Sequence, residues 1–150
     1  NTLSLHDALP ISRARRKMET LGIGVDLVEI ERIRKAVARR EGFVARVFSP
    51  RERERCEDCA DPARRYAACF AAKEAASKAL GTGMRGFDWR EVELLADAQG
   101  KPVLSLSGGF KEEAARRGVR EIVISLSHTR ELALATACAL GEEAEGDEGG

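Results

Sequence analysis

Lys73, Glu74 and Lys78 crowd into one alanine-rich stretch, Phe70-Ala-Ala-Lys-Glu-Ala-Ala-Ser-Lys78. On a helix, Glu74 and Lys78 stand four residues apart and share a face. In an arbitrary helix such a pair is a solvated ion pair worth a few tenths of a kcal/mol. Here the glutamate sits among small residues, and the stretch runs into Gly81-Thr82-Gly83, whose backbone N–H groups could meet a phosphate. A helix end needs glycine for its left-handed cap in any case, so that loop has two readings.

A second carboxylate, Asp26, follows two glycines in Leu21-Gly-Ile-Gly-Val-Asp26-Leu-Val28. Two carboxylates from separate elements with lysines beside them are the parts of a magnesium–diphosphate site. Mg²⁺ takes oxygen ligands in octahedral geometry and commonly uses one or two carboxylates, several waters and substrate phosphates. His128, between Ser127 and Thr129, offers donors suited to phosphate oxygens, although a single His after a strand is commonly a turn or core residue.

These side chains need elements to position them. Residues 21–28 alternate, with Leu21, Ile23, Val25 and Leu27 on one face and Gly22, Gly24 and Asp26 on the other. This is a strand with a bare side open to a ligand, or one marking a bulge or tight packing. From Glu29 to Arg40, Ile30, Ile33 and Val37 recur at helical spacing, while Arg32, Lys35 and Arg39 make a basic stripe. Ser49-Pro50-Arg51-Glu52 carries a capping box and starts a short helix at Pro50. Asp61-Pro62 repeats the signal before a longer helix that bears the alanines and ends at Gly81.

Further on, residues 90–96 and 103–106 flank Asp97-Ala-Gln-Gly100 as a hairpin. A helix is expected from about Gly109 to Arg117. Two strands follow, at residues 121–127 and 132–140, joined by the turn His128-Thr-Arg-Glu131. The β-α-α-α-β-β-α-β-β order predicts a single α+β domain, a mainly antiparallel sheet packed with helices.

The 150 residues have room for one such domain. Residues 18–140 form it, with Met18 as its natural start. Asn1 to Lys17 reads as an unrelated leader in which Ser4–Pro10 resembles a translated sequencing adaptor, so His6 carries no function. Residues 141–150 read as an acidic disordered tail. Twenty-five basic and 25 acidic side chains cancel, and only 5% of residues are aromatic, which argues against a nucleic-acid partner. No apolar run reaches the roughly 20 residues of a membrane span. Four cysteines suggest neither a disulfide scaffold nor, in the lone pair Cys56-Glu-Asp-Cys59, a zinc site; Cys69 and Cys138 suit buried thiols. A cytoplasmic location follows.

Three segments, in this order, resemble the motifs of holo-[acyl-carrier-protein] synthases. They are Gly22-Ile-Gly-Val-Asp26-Leu-Val-Glu29-Ile-Glu-Arg32-Ile33, Phe70 to Gly83, and Ser125-Leu-Ser127-His128-Thr129. The resemblance spans Leu21 to about Leu140. It implies transfer of 4′-phosphopantetheine from coenzyme A to a serine of apo-acyl carrier protein, leaving adenosine 3′,5′-bisphosphate. It assigns Mg²⁺ to Asp26 and Glu74, and Lys78 to the diphosphate. Glu74 or a metal-bound water or hydroxide would take the serine proton. Lys73, Ser77, Gly81, Thr82, Gly83, Pro102, His128 and Thr129 would line the coenzyme A pocket. Arg32 and Arg39, extended by Arg46, would dock the acidic carrier protein, and the protein would be a homotrimer with sites between subunits. The family commonly has Arg where this chain has Cys69, leaving Arg64 or Arg65 to replace it. That departure motivates the alternative of a non-catalytic module of the same fold that binds coenzyme A or a carrier protein.

Overall fold

The computed structural model describes residues 17–142. The leader up to residue 16 and the tail from residue 143 lie outside the described residues. The chain runs β1 (Glu19–Glu29), α1 (Ile30–Arg39), α2 (Phe43–Val47), α3 (Pro50–Glu57), α4 (Pro62–Leu80), a 3₁₀ turn (Trp89–Glu91), β2 (Val92–Ala96), β3 (Pro102–Leu106), α5 (Gly108–Arg116), β4 (Val119–His128) and β5 (Leu132–Gly141). This is the expected α+β domain. Its strands divide into an antiparallel sheet ordered β1-β5-β4 and a separate β2-β3 hairpin. The last strand runs one residue past the expected domain edge.

The central packing event is α4 lying across β1 and β5. Ala67, Ala71, Ala75 and Ala79 form a buried ridge on the helix, and Ala133, Ala135, Ala137 and Ala139 are buried on β5. The glycine face of β1 completes this surface. A Cβ at Gly22 would overlap the carbonyl oxygen of Ala79, and one at Gly24 that of Ala75. The bare side of β1 is therefore filled by the protein's own helix and is not open to a ligand there. The opposite, apolar face is the one left outside: Ile23 is 75% exposed, Val25 53% and Leu27 57%.

Local signals hold at most element ends. Ser49 and Glu52 form both arms of the capping box that starts α3. Asp61 does not cap α4; Arg34 of α1 takes its carboxylate at 2.9 Å, and that ion pair holds the Asp61 carboxyl below its usual range. Pro62 still occupies the first turn. One short helix had no sequence signal: α2 follows Gly42 and buries Phe43 and Val47, too few residues to show a period. No helix among the described residues is long and apolar enough to cross a membrane.

Candidate active site

Asp26 lies on the helix-facing side of β1, one step past Gly24, so its carboxylate emerges where the strand leaves the shelter of α4. Lys78 reaches back from α4 to meet it. Its Nζ donates to Asp26 Oδ1 at 3.1 Å and to the carbonyl of Val25 at 3.0 Å. Glu74, one turn earlier on the helix, lines a groove of about 700 Å³ together with Asp26. Burial and, next, the charge of Asp26 push the Glu74 carboxyl above its usual range, with Lys78 opposing. Two carboxylates lining one groove, one of them held above its usual range by burial and the charge of the other, are a donor set suited to a divalent cation. Among the described residues no cluster of three or more His, Cys, Asp or Glu side chains could hold a metal. Two carboxylates, Asp26 and Glu74, are the number that Mg²⁺ commonly takes when water and phosphate complete its octahedron.

The far wall of the groove is basic. Arg32, Lys35, Arg39 and Arg40 of α1 and its C-terminal end line it, with Phe43 and Phe70 below. α1 buries Ile30 and Ile33 and leaves Arg32, Lys35 and Arg39 exposed, so the stripe read in the sequence lines the same groove as the carboxylates. Arg46 is exposed on α2 but does not line this groove.

Several expected coenzyme A contacts fall elsewhere. Lys73 is fully buried: its Nζ donates to Glu52 Oε1 at 2.7 Å and to the carbonyls of Trp89 and Val92. It faces away from the groove because it sits one residue, about 100°, around the helix from Glu74. Ser77 is also buried, its hydroxyl donating to the carbonyl of Glu74. The Gly81-Thr82-Gly83 loop is a helix stop. The N–H groups of all three residues donate to the Ser77 carbonyl, and Gly81 adopts φ 94°, so these amides are spent on the cap.

Pro102 starts β3 and lines a larger cavity of about 1390 Å³, to which Lys78 also contributes. Lys78 stands between the two spaces. His128 and Thr129 lie at the far end of β4 and do not line the groove. His128 is exposed, while Thr129 Oγ1 accepts from the N–H groups of Glu131 and Leu132 and shapes the turn.

Cys69 does not replace an arginine at the surface. Its thiol is buried 3.9 Å from that of Cys56, and this contact together with burial raises its pKa. Arg64 and Arg65 are exposed on the first turns of α4. The residue missed by sequence reasoning is Glu52, which looked like a capping residue and nothing more. Its carboxylate also binds Lys73 and accepts from the Leu94 N–H at 3.0 Å. A glutamate in a capping box ordinarily faces solvent, and no local signal marks this one as buried.

Residues 22–137 match the 4′-phosphopantetheinyl transferase superfamily. A holo-[acyl-carrier-protein] synthase of Desulforudis audaxviator is 48% identical over 122 residues, covering 81% of this chain and 93% of the relative. Among solved structures, the holo-[acyl-carrier-protein] synthase of Neisseria meningitidis superposes with a TM-score of 0.74 at 32% identity, over 81% of this chain and 98% of that one. The Bacillus anthracis enzyme in complex with CoA (3′,5′-ADP) gives 0.69 at 30%, over 84% and 100%. The chain belongs to the 4′-phosphopantetheinyl transferase superfamily and, within it, to the holo-[acyl-carrier-protein] synthases.

Proposed function

We propose that this protein transfers the 4′-phosphopantetheine arm of coenzyme A to a serine of an apo-acyl carrier protein, with Mg²⁺ as cofactor. The products are holo-acyl carrier protein and adenosine 3′,5′-bisphosphate. The observation that carries this reading is the groove that Asp26 and Glu74 line together with Arg32, Lys35 and Arg39. Held by Asp26 and Glu74, the metal would neutralise charge on the diphosphate.

The chain's own residues supply the rest. Lys78 has a half-exposed side chain, so its ammonium can turn from Asp26 to a diphosphate oxygen and offset charge on the departing nucleotide. The Glu74 carboxylate, in the same groove as Asp26, would take the serine proton directly or through a metal-bound water or hydroxide. The serine oxygen then bonds to phosphorus, the P–O bond to the nucleotide breaks, and its electron pair leaves with adenosine 3′,5′-bisphosphate. The basic wall attracts an acidic carrier protein, chiefly by raising the association rate.

The same reading makes the enzyme a cytoplasmic homotrimer. Ile23, Val25 and Leu27 put an exposed apolar strip on β1, with Val123 exposed on β4, the kind of surface an interface covers. In such an assembly His128 and Thr129 serve the site of a neighbouring copy. The second reading is a non-catalytic module of the same fold, motivated by Cys69 at the position where the family commonly has Arg, and binding of coenzyme A without adduct formation would favour it. Incubation with coenzyme A, Mg²⁺ and apo-acyl carrier protein should yield the phosphopantetheine adduct by mass spectrometry; unmodified carrier across metals and carriers would sink the reading.

A further inference from the structure

The contact between α4 and the sheet has a peculiarity: it is smooth. On the helix side lie the methyls of Ala67, Ala71, Ala75 and Ala79; on the sheet side lie Gly22, Gly24 and the alanines of β5. Such surfaces approach closely and so define the height of the helix above the sheet. Ile122 and Ile124 of β4 flank this contact, and the directional bond on this side, Lys78 Nζ to the Val25 carbonyl, comes from a half-exposed side chain, so it holds the helix against sliding or rotation less firmly than a buried contact does. Yet Glu74 and Lys78 must keep their positions along β1 to meet Asp26.

On the other side of α4 the contacts are directional. The Lys73 ammonium has three protons, and it places them on Glu52 Oε1, the Trp89 carbonyl and the Val92 carbonyl. Glu52 in turn accepts from the N–H groups of Ser49 at 3.0 Å and Leu94 at 3.0 Å. Both side chains are 0% exposed. One ion pair therefore ties α4 to the start of α3, to the 3₁₀ turn and to β2, at the residue preceding Glu74. A buried pair contributes little net stability against an apolar replacement of the same size, and registry is its best-attested use.

We infer that Glu52 and Lys73 are positioning residues for the transfer reaction, fixing the axial and rotational setting of α4 so that Glu74 meets Asp26. This rests on the function proposed above. Neither residue touches substrate; each acts through Glu74.

The test compares wild type with the double variant Glu52→Gln/Lys73→Met, which removes both charges, keeps side-chain volume and leaves one amide oxygen at position 52 to accept from the N–H of either Ser49 or Leu94, its NH₂ being free to donate to a carbonyl that Lys73 gives up. Thermal unfolding, steady-state kinetics and Mn²⁺ binding by electron paramagnetic resonance are measured on each. The double variant should unfold cooperatively near the wild-type temperature, with kcat lowered roughly 100-fold and KM for coenzyme A nearly unchanged. Its affinity for Mn²⁺ should fall about 10-fold. A stable double variant with wild-type kcat and Mn²⁺ affinity overturns the inference, because a purely structural pair is dispensable once stability is restored.

Should the double variant fail to fold, Glu52→Asp carries the test. It keeps the charge but shortens the side chain and draws Lys73 toward α3, so kcat should fall while KM for coenzyme A holds; an unchanged kcat overturns the inference. The Mn²⁺ arm needs no turnover. A wild type that binds Mn²⁺ but forms no adduct removes the transferase reading and leaves the Mn²⁺ comparison to judge the positioning role, whereas a wild type that forms the adduct without binding Mn²⁺ refutes the metal assignment and leaves kcat to judge it.

Discussion

Gly24 lies directly beneath the carbonyl of Ala75, so close that the smallest side chain at position 24 would overlap the oxygen. The obstacle is backbone in the middle of a helix and cannot swing aside. Gly24→Ala must therefore lift α4 from β1 and carry Glu74 away from Asp26. Overpacking of this kind costs about 1–3 kcal/mol or more. Denaturant titration should show that loss, and the folded fraction should turn over slowly because the two carboxylates no longer line one groove.

Asp26→Asn and Glu74→Gln should each abolish transfer while leaving a folded protein, as circular dichroism and adduct formation would show together. Full activity in either variant refutes the metal assignment.

The Glu74 variant has a second expected signature. Because the native carboxyl is pushed up by burial and by Asp26, the folded protein retains its proton at pH values where the unfolded chain has released it. The stability this contributes is fully present below the ordinary glutamate pKa and is lost as pH rises through the folded one. Without divalent ion at neutral pH, Glu74→Gln should thus melt above wild type, and the difference should vanish in acid. A Glu74→Gln melting temperature equal to or below wild type at neutral pH would contradict this.

Charge reversal on α1 should separate docking from chemistry. Arg32→Glu and Arg39→Glu leave Asp26, Glu74 and Lys78 in place, so KM for the carrier protein should rise at least several-fold while kcat changes little. The wild-type advantage should shrink as salt rises, since exposed charges are screened. A loss confined to kcat would instead put these arginines in the chemical step.

The apolar strip on β1 offers a test of assembly. Leu27→Glu alters a side chain that is 57% exposed in the single chain, so folding should survive. Sedimentation should show the variant as a monomer and the wild type as a trimer, with transfer activity falling alongside. A monomeric wild type would remove the homotrimer from the proposal.

Much of this is legible in residue order. The capping box at Ser49 and Glu52, the stop at Gly81 and the basic stripe of α1 are local devices, and each forms as its pattern requires. Asp61 departs from its pattern because capping competes with Arg34, a residue 27 positions away that no local rule includes. Lys73 and Lys78 look alike in sequence, on one helix beside one glutamate. Only the approach of α3 and β2 buries the first, and only β1 gives the second its carboxylate.

Residue order by itself determined the element types, the motif set and hence the family, because propensity, capping and side-chain periodicity act within a few residues. Tertiary structure alone decided which face of each element meets which neighbour. The alternation in β1 is symmetric with respect to inside and outside, and what broke the symmetry was a long-range fit: glycine and alanine against alanine lets α4 approach more closely than Ile23, Val25 and Leu27 would. That choice put Asp26 beside Lys78 and in one groove with Glu74, and left the apolar side outward.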